Sequence, residues 1–460
     1  PRGWECADTP DLPPSCNRCV TVNMKRLFGQ HRAQMALALC WAMSQSLSQS
    51  VAPVASEVRE LISRQINQDY AHLETLYQHL HAHPELSFHE EKTAARMAEE
   101  LRPLGFAVTT KVGKHGVVGV LRNGDGPTIL VRTDLDALPF KEQTGLPYAS
   151  QVQTKDEDGN EVHVMHACGH DVHMTVFIGT ARLLAQMKDR WQGTLVLIGQ
   201  PAEEKGSGAQ AMLADGLFTR FSKPDYCLAL HVNAELPVGT VGYTEGFSSA
   251  NVDSVDITVR GVGGHGAYPH TTKDPVVLAA QIVLALQTIV SREINPTEPA
   301  VVTVGSIHGG TKHNIIPEEV RLKLTLRSYS DDVRHQTIAA IRRLTRGLGL
   351  AAGLPEDRLP TVTLVEGEYT PTTYNDPALT RRLAAVFGNW FGAEKVVARK
   401  PTMGGEDFGL FGRTEHKIPI CMFALGVVEP KRIEESKLGR LRLPSLHSNA
   451  FAPVPEPSIK

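Results

Sequence analysis

The sequence predicts a mixed α/β protein: a mostly parallel sheet with helices on both faces, carrying an inserted α+β domain. Three observations predict it. Strand-length apolar runs alternate with helical patterns from about residue 57 to 232. Near residue 250 this texture gives way to a strand of alternating polarity, VDSVDITVRG. Near 365 the first texture returns. The expected layout is therefore 56–244 and 366–460 as the two parts of the larger domain, with 245–365 inserted between them. At 460 residues the chain is too long for one ordinary core.

Ahead of this fold, Met24 opens a stretch with the order of a secretory signal. Lys25, Arg26 and Arg32 form its basic region, residues 35–43 its apolar region, and Ala52 and Ala55 mark small residues suited to cleavage. The signal is expected over 24–55, and residues 1–23 are expected to be an upstream extension with no structural role. The apolar run is too short for a stable membrane span, so a periplasmic or secreted location is expected.

Val58, Leu61, Ile62 and Ile66, then Leu73, Leu76 and Leu80, recur at helical spacing up to Pro84. A second helix is predicted over 91–103 and strands over 116–121 and 128–135. A helix begins near 171, and strands follow at 193–200 (GTLVLIGQ) and 225–232 (DYCLALHV). In the insertion, a helix is predicted at 275–293, strands at 299–307 and 318–328, and a helix at 331–348, forming a one-sided antiparallel unit. A helix at 376–391 and the strand IPICMFALG at 418–426 belong to the larger domain again. The chain ends in EPSIK, and a closing helix is expected past Lys460.

The formal net charge is −3 with pI near 6.7, which argues against nucleic acid as a partner. Cys6, Cys16, Cys19 and Cys40 precede residue 50; only Cys168, Cys227 and Cys421 lie in the body, too few and too scattered for a disulfide framework.

Four polar clusters carry chemistry. Asp134 and Asp136 end one predicted strand, Glu203 and Glu204 follow another through QPAEE, and His231 ends a third. Ligands of open α/β sheets bind beyond the carboxyl ends of the strands. The fourth cluster is MHACGHDVH, residues 165–173, at a helix start whose dipole favours a thiolate at Cys168. A thiolate flanked by His166, His170, Asp171 and His173 suits a metal. Any one of these histidines alone reads as a satisfied surface or core residue, and the glutamate pair alone as a solvated helix start. Together they offer ligands and, in the paired carboxylates, one ligand beside one proton shuttle.

These motifs resemble the aminoacylase-type metallopeptidase family with paired metals, in its amidohydrolase branch of hippurate, N-acyl-amino-acid and indole-acetyl-amino-acid hydrolases. The resemblance runs in order through HAHPELSFHE (81–90), RTDLDALP (132–139), MHACGHDVH, QPAEE, GGHGAYPH (263–270), GGTKHNIIP (309–317), MGGEDFGLF (403–411) and LHSNAF (446–451). It implies a zinc-exopeptidase-like catalytic domain with an inserted dimerisation or lid domain, and a homodimer. It also implies two divalent metal ions per subunit, held by Cys168 as the bridge with His170, Glu204, His231 and His447. Glu203 would be the general base acting on a metal-bridging water. His265, usually from the partner subunit, and Asn314 would contact the reacting carbonyl. Arg327 would pair with a substrate carboxylate, Gly404 and Gly405 would approach the substrate, and Asp136 or Asp134 would orient ligands, with Asp136 grouped among the catalytic residues. The implied reaction is hydrolysis of a linear amide, releasing an amino acid from a small N-acyl amino acid. Zinc, manganese, cobalt and nickel all suit the ligand set. Two departures, LTLRSY before and around Arg327 and Lys312–His313 in GGTKHN, bear on substrate preference.

Rival readings are a dipeptidase or aminopeptidase of the same family, a thiol enzyme using Cys168 as nucleophile, and a non-catalytic binding protein. Peptidase branches usually carry Asp where Cys168 stands. A thiol mechanism leaves the glutamate pair and His447 idle.

Overall fold

The computed structural model describes residues 56–460. The signal expected at 24–55 and the extension at 1–23 lie outside the described residues.

Eight strands form the main sheet in the order Ala107–Val112, Gly116–Asn123, Gly193–Gln200, Thr128–Asp134, Tyr226–Pro237, Ile420–Val428, Val241–Tyr243, Val396–Ala398. The four central strands, Gly193–Gln200 to Ile420–Val428, pair in parallel, and antiparallel pairings flank them on either side. Period-two geometry splits each run between the two faces. Leu195 and Leu197 enter one core with Tyr77, Met97 and Phe177. Val196 and Ile198 enter the opposite core with Met212 and Phe408. Both faces are therefore covered, as continuous apolar strands require.

The second sheet is antiparallel, in the order Ala300–Gly309, Glu319–Ser328, Asn251–Arg260, Thr361–Thr370. Val255, Ile257 and Val259 face the helices Pro275–Thr288 and Asp331–Ala351. Asp274 caps the first helix by accepting from the backbone N–H of Val276 and Val277. The predicted helix 275–293 is α-helical only to Thr288 and ends in a π-helical turn, Ile289–Glu293. The predicted return of the first texture near 365 falls inside the strand Thr361–Thr370, which instead completes the second sheet. The chain enters and leaves this region side by side, because Gly246–Ser249 pairs with Thr373–Asn375. The strands not predicted include Ala107–Val112, the Gln153–Lys155/Glu161–His163 hairpin, Val241–Tyr243 and Val396–Ala398. At the far end a short helix, Pro455–Ile459, buries Ile459 against Ser56–Ala82 and His170–Gln186.

Among the described residues one helical stretch, Pro275–Glu293, is long and apolar enough to cross a membrane, with mean hydropathy 1.6 over its best window. Its inner face, Leu278, Ala279, Ile282 and Leu286, is buried in the second core.

Candidate metal centre

The site begins at the helix His170–Gln186. Gly169, just before it, adopts a left-handed conformation (φ 81°), and a Cβ there would lie 2.5 Å from Val232 Cγ2. Glycine therefore lets the helix start press against the strand that carries His231. Cys168 Sγ lies 3.5 Å from His231 Nε2. His447, itself left-handed at φ 59°, is tied to this turn by its backbone N–H, which donates to the Ala167 carbonyl at 2.9 Å.

Two overlapping donor groups result. Cys168, His170 and His231 form one, and Cys168, Glu204 and His447 the other; within each, the ligand atoms lie within 4.8 Å of one another. Cys168 is shared. The histidines are oriented by their outer nitrogens: His170 Nδ1 meets the Asp136 carbonyl at 2.9 Å and His231 Nδ1 the Val232 carbonyl at 2.8 Å. Both Nε2 atoms are thereby turned toward the donor group, where a bound cation would take the lone pair in place of a proton.

The donor chemistry fits cations. His170 Nε2 and Glu204 Oε1 are buried without a hydrogen-bond partner, an arrangement that is costly unless something positive sits between them. Burial opposes charge on His170, but Asp134 and Asp136 outweigh it and hold its pKa up at about 10. Burial pushes the Cys168 thiol up, and the carboxylates of Glu204 and Glu203 push it further. The helix dipole expected to favour a thiolate is thus outweighed in the protein alone; positive charge in the cage is what would restore it.

Glu203 borders the same space and is 9% exposed. Burial raises its proton affinity above that of an ordinary carboxylate, and the charges of Glu406, Glu204 and Asp407 add to this. Sequence reasoning missed the network behind it. The Arg132 guanidinium donates to Asp134 at 2.6 Å, Gln200 at 3.0 Å, Glu406 at 2.9 Å and Asp407 at 3.2 Å, all buried. The available signal was a single arginine inside the apolar strand TILVRTDL.

Asp136, grouped with the catalytic residues from sequence, is fully buried and does not border the cleft. Its carboxylate accepts from Ser87 Oγ at 2.6 Å and from the Glu204 backbone N–H at 2.9 Å, which ties it to the backbone of a candidate ligand. His173 is committed on both ring nitrogens, to Asp134 at 2.7 Å and to the Val232 N–H at 2.9 Å. Asp171 turns away to His81 at 2.6 Å. His166 is buried with neither ring nitrogen hydrogen-bonded.

A cleft of about 950 Å³ opens over Cys168, Glu203, Glu204, His231 and His447. Arg327, Gly404 and Gly405 also line it. A Cβ on Gly405 would lie 2.6 Å from Val252 Cγ2, so glycine permits the close approach. His265 and Asn314 do not line this cleft. His265 is exposed on a two-residue strand paired with Ile315–Ile316, and Asn314 is exposed in the adjoining turn.

Comparison with known proteins bears on the family. A sequence profile of Peptidase family M20/M25/M40 matches residues 130–437. Hippurate hydrolase of Campylobacter jejuni is 36% identical over 343 residues, 74% of this chain and 84% of the relative. Thermostable carboxypeptidase 1 of Saccharolobus solfataricus is 36% identical over 358 residues, 77% of this chain and 85% of the relative. The crystal structure of a dinuclear metal binding peptidase from Bacillus subtilis, of the M20 family, aligns with a TM-score of 0.67 at 30% identity, covering 85% of this chain and 95% of that one.

Proposed function

The chain belongs to peptidase family M20/M25/M40, a family of hydrolases, and from that premise we propose that it hydrolyses the amide bond of N-acyl amino acids with two divalent cations. The observation that carries the reading is the sharing of Cys168 between two donor groups with Glu203 beside them. The similarity to a hippurate hydrolase supports the substrate class.

Cys168, His170 and His231 would hold one cation, and Cys168, Glu204 and His447 the other. When bound, the cations would supply Lewis acidity toward the scissile carbonyl and acidify water between them. Glu203 takes the proton of the attacking water and returns it to the leaving amine, a task its raised proton affinity suits. Asp136 holds His170 and Glu204 in place. Arg327 pairs with the carboxylate of the amino-acid part. Gly404 and Gly405 let the backbone close on the substrate. His265 and Asn314 reach a site across a homodimer. The apolar outer face of the inserted region supports such a dimer: Val277 and Leu284, two helical turns apart, are 56% and 72% exposed.

The similarity to a carboxypeptidase supports a second reading, hydrolysis of peptides. One experiment separates them. Metal-reconstituted protein is given N-acyl amino acids and free-amine dipeptides, each with a chelated control. Chelator-sensitive release of amino acid from the acylated compounds alone is expected. Preference for free-amine dipeptides moves the reading to a peptidase, and turnover that survives chelation moves it to a thiol mechanism.

A further inference from the structure

The cleft wall is mostly acidic, with Glu157, Glu203, Glu204, Glu366, Glu368 and Glu406 on it, yet two of its cationic side chains have no acidic partner. Three of its lining residues are lysine or arginine: Lys205, Arg327 and Arg399. Lys205 is committed to Glu157. Among the described residues, neither Arg327 nor Arg399 forms an ion pair. Asp253, the acidic group that acts most on Arg327, is already held by Arg334 at 2.6 and 2.7 Å. Glu235, which acts on Arg399, is an exposed residue that does not pair with it. Burial holds both guanidinium groups below their ordinary pKa, the signature of a cation withdrawn from water without an anion beside it.

The two arginines come from different sheets. Arg327 is on the second sheet, in register with Val252. Arg399 directly follows the last strand of the main sheet, and its backbone N–H donates to the Tyr243 carbonyl at 2.7 Å. Its side chain crosses Gly242, where a Cβ would lie 2.4 Å from Arg399 Cδ. Ala424 is in register with both Gly242 and His231. The cradle for Arg399 is therefore two strands from a metal ligand, about 10 Å at the usual strand spacing. That backbone span is covered jointly by the Arg399 side chain and by a substrate carboxylate several bonds from the scissile carbonyl.

We propose that Arg399 is a specificity residue that receives a second carboxylate of the substrate, so that the preferred substrates are N-acyl amino acids with a further acidic group. This rests on the amide-hydrolase reading, in which Arg327 takes the first carboxylate. A planar guanidinium waiting unpaired in a cleft recognises a carboxylate by charge-assisted hydrogen bonds and loses little when it leaves water to do so. The second carboxylate belongs either to the amino-acid side chain or to the acyl chain, and the two sources are tested separately.

The test uses the metal-loaded full chain and two matched pairs. N-acetylglutamate against N-acetylglutamine reads the side-chain source. N-succinyl-leucine against N-succinamoyl-leucine reads the acyl source. The expected result is a kcat/KM favouring the acidic member of one pair by about 10- to 100-fold. Arg399→Gln removes that preference, and Arg399→Lys keeps part of it. A ratio near one in both pairs, or a ratio that Arg399→Gln leaves intact, overturns the proposal. Should none of the four be hydrolysed, the hydrolase reading fails instead, and calorimetric titration with glutarate and its monoamide decides. Glutarate binding that exceeds monoamide binding and is lost in Arg399→Gln supports the role of Arg399. Equal binding of the two overturns it.

Discussion

The metal cage and the lid hairpin are built in opposite ways. Four of the five candidate ligands are held by a second bond into the body of the protein: His170 to the Asp136 carbonyl, His231 to the Val232 carbonyl, Glu204 through its N–H to Asp136, and His447 through its N–H to Ala167. His265 Nδ1, by contrast, accepts only from the N–H of Ala267 in its own hairpin, and its ring touches Tyr268, itself exposed. The cage is fixed by the core beneath it. The hairpin has no such support for the His265 ring, so the part proposed for it at the reacting centre would depend on what it docks against. The difference predicts that changes in the cage act within one chain, and changes in the hairpin act across an interface.

The largest effect is expected at Glu203. Glu203→Gln keeps the shape and removes the proton acceptor, so kcat should fall by about 10²–10⁴-fold while the metal content, read by elemental analysis, stays at two per chain. Near-wild-type turnover would rule Glu203 out as the base.

Next comes the floor of the cage. His81 is buried between Asp171 at 2.6 Å and Glu142 at 3.0 Å. Burial opposes its charge, but those two carboxylates outweigh it and hold its pKa up at about 10. His81→Gln leaves two buried carboxylates unpaired and should cost about 3–5 kcal/mol in chemical unfolding. The sign of the pH dependence follows from a folded pKa above the unfolded value. The charged pair contributes fully below the ordinary histidine value of 6.5 and is lost as pH rises toward about 10. Wild-type stability should therefore decline through that window more steeply than that of His81→Gln. Parallel curves would show that His81 is neutral in the folded protein.

The same contrast explains what was legible beforehand. Central strands such as Gly193–Gln200 read plainly because both faces are buried, and apolar residues then run without interruption. The edge strand Ala107–Val112 was invisible because it is half exposed and mixes Thr and Lys with Val. The cluster MHACGHDVH suggested more ligands than the structure brings together. Once His170 starts a helix, each residue turns by about 100°, so Asp171 and the ring nitrogens of His173 go to other partners, and Cys168 and His170 are the ones that share a donor group with His231. The Arg132–Glu406 contact joins positions 274 apart, a separation that no local spacing rule reaches. The roles expected of His265 and Asn314 came only through resemblance, because these exposed residues carry no burial pattern of their own.

The lid prediction tests the comparison most directly. His265→Ala should lower kcat by about 10²–10³-fold if its ring stabilises the developing oxyanion. Mixing His265→Ala chains with Glu203→Gln chains under subunit exchange should then restore activity. Each mixed dimer contains one site with both groups intact, giving about a quarter of wild-type activity for random two-fold pairing. No recovery would confine His265 to its own chain or remove it from the site.

The smallest effect is expected where the cage and its support meet. Asp136 does not reach the cleft, yet its carboxylate anchors the Glu204 N–H and Ser87, and its carbonyl sets the tautomer of His170. Asp136→Ala keeps the carbonyl and deletes the carboxylate. It should weaken metal affinity by about 10–100-fold, read by competition with a chelator. At saturating metal, kcat should stay closer to wild type than that of Glu203→Gln. Metal affinity and kcat would separate in this way because a positioning group acts on occupancy and a proton acceptor acts on turnover. If Asp136→Ala binds metal normally but loses turnover, the carboxylate takes part in the chemistry despite its burial, and the division between cage and chemistry drawn above would have to move one residue deeper.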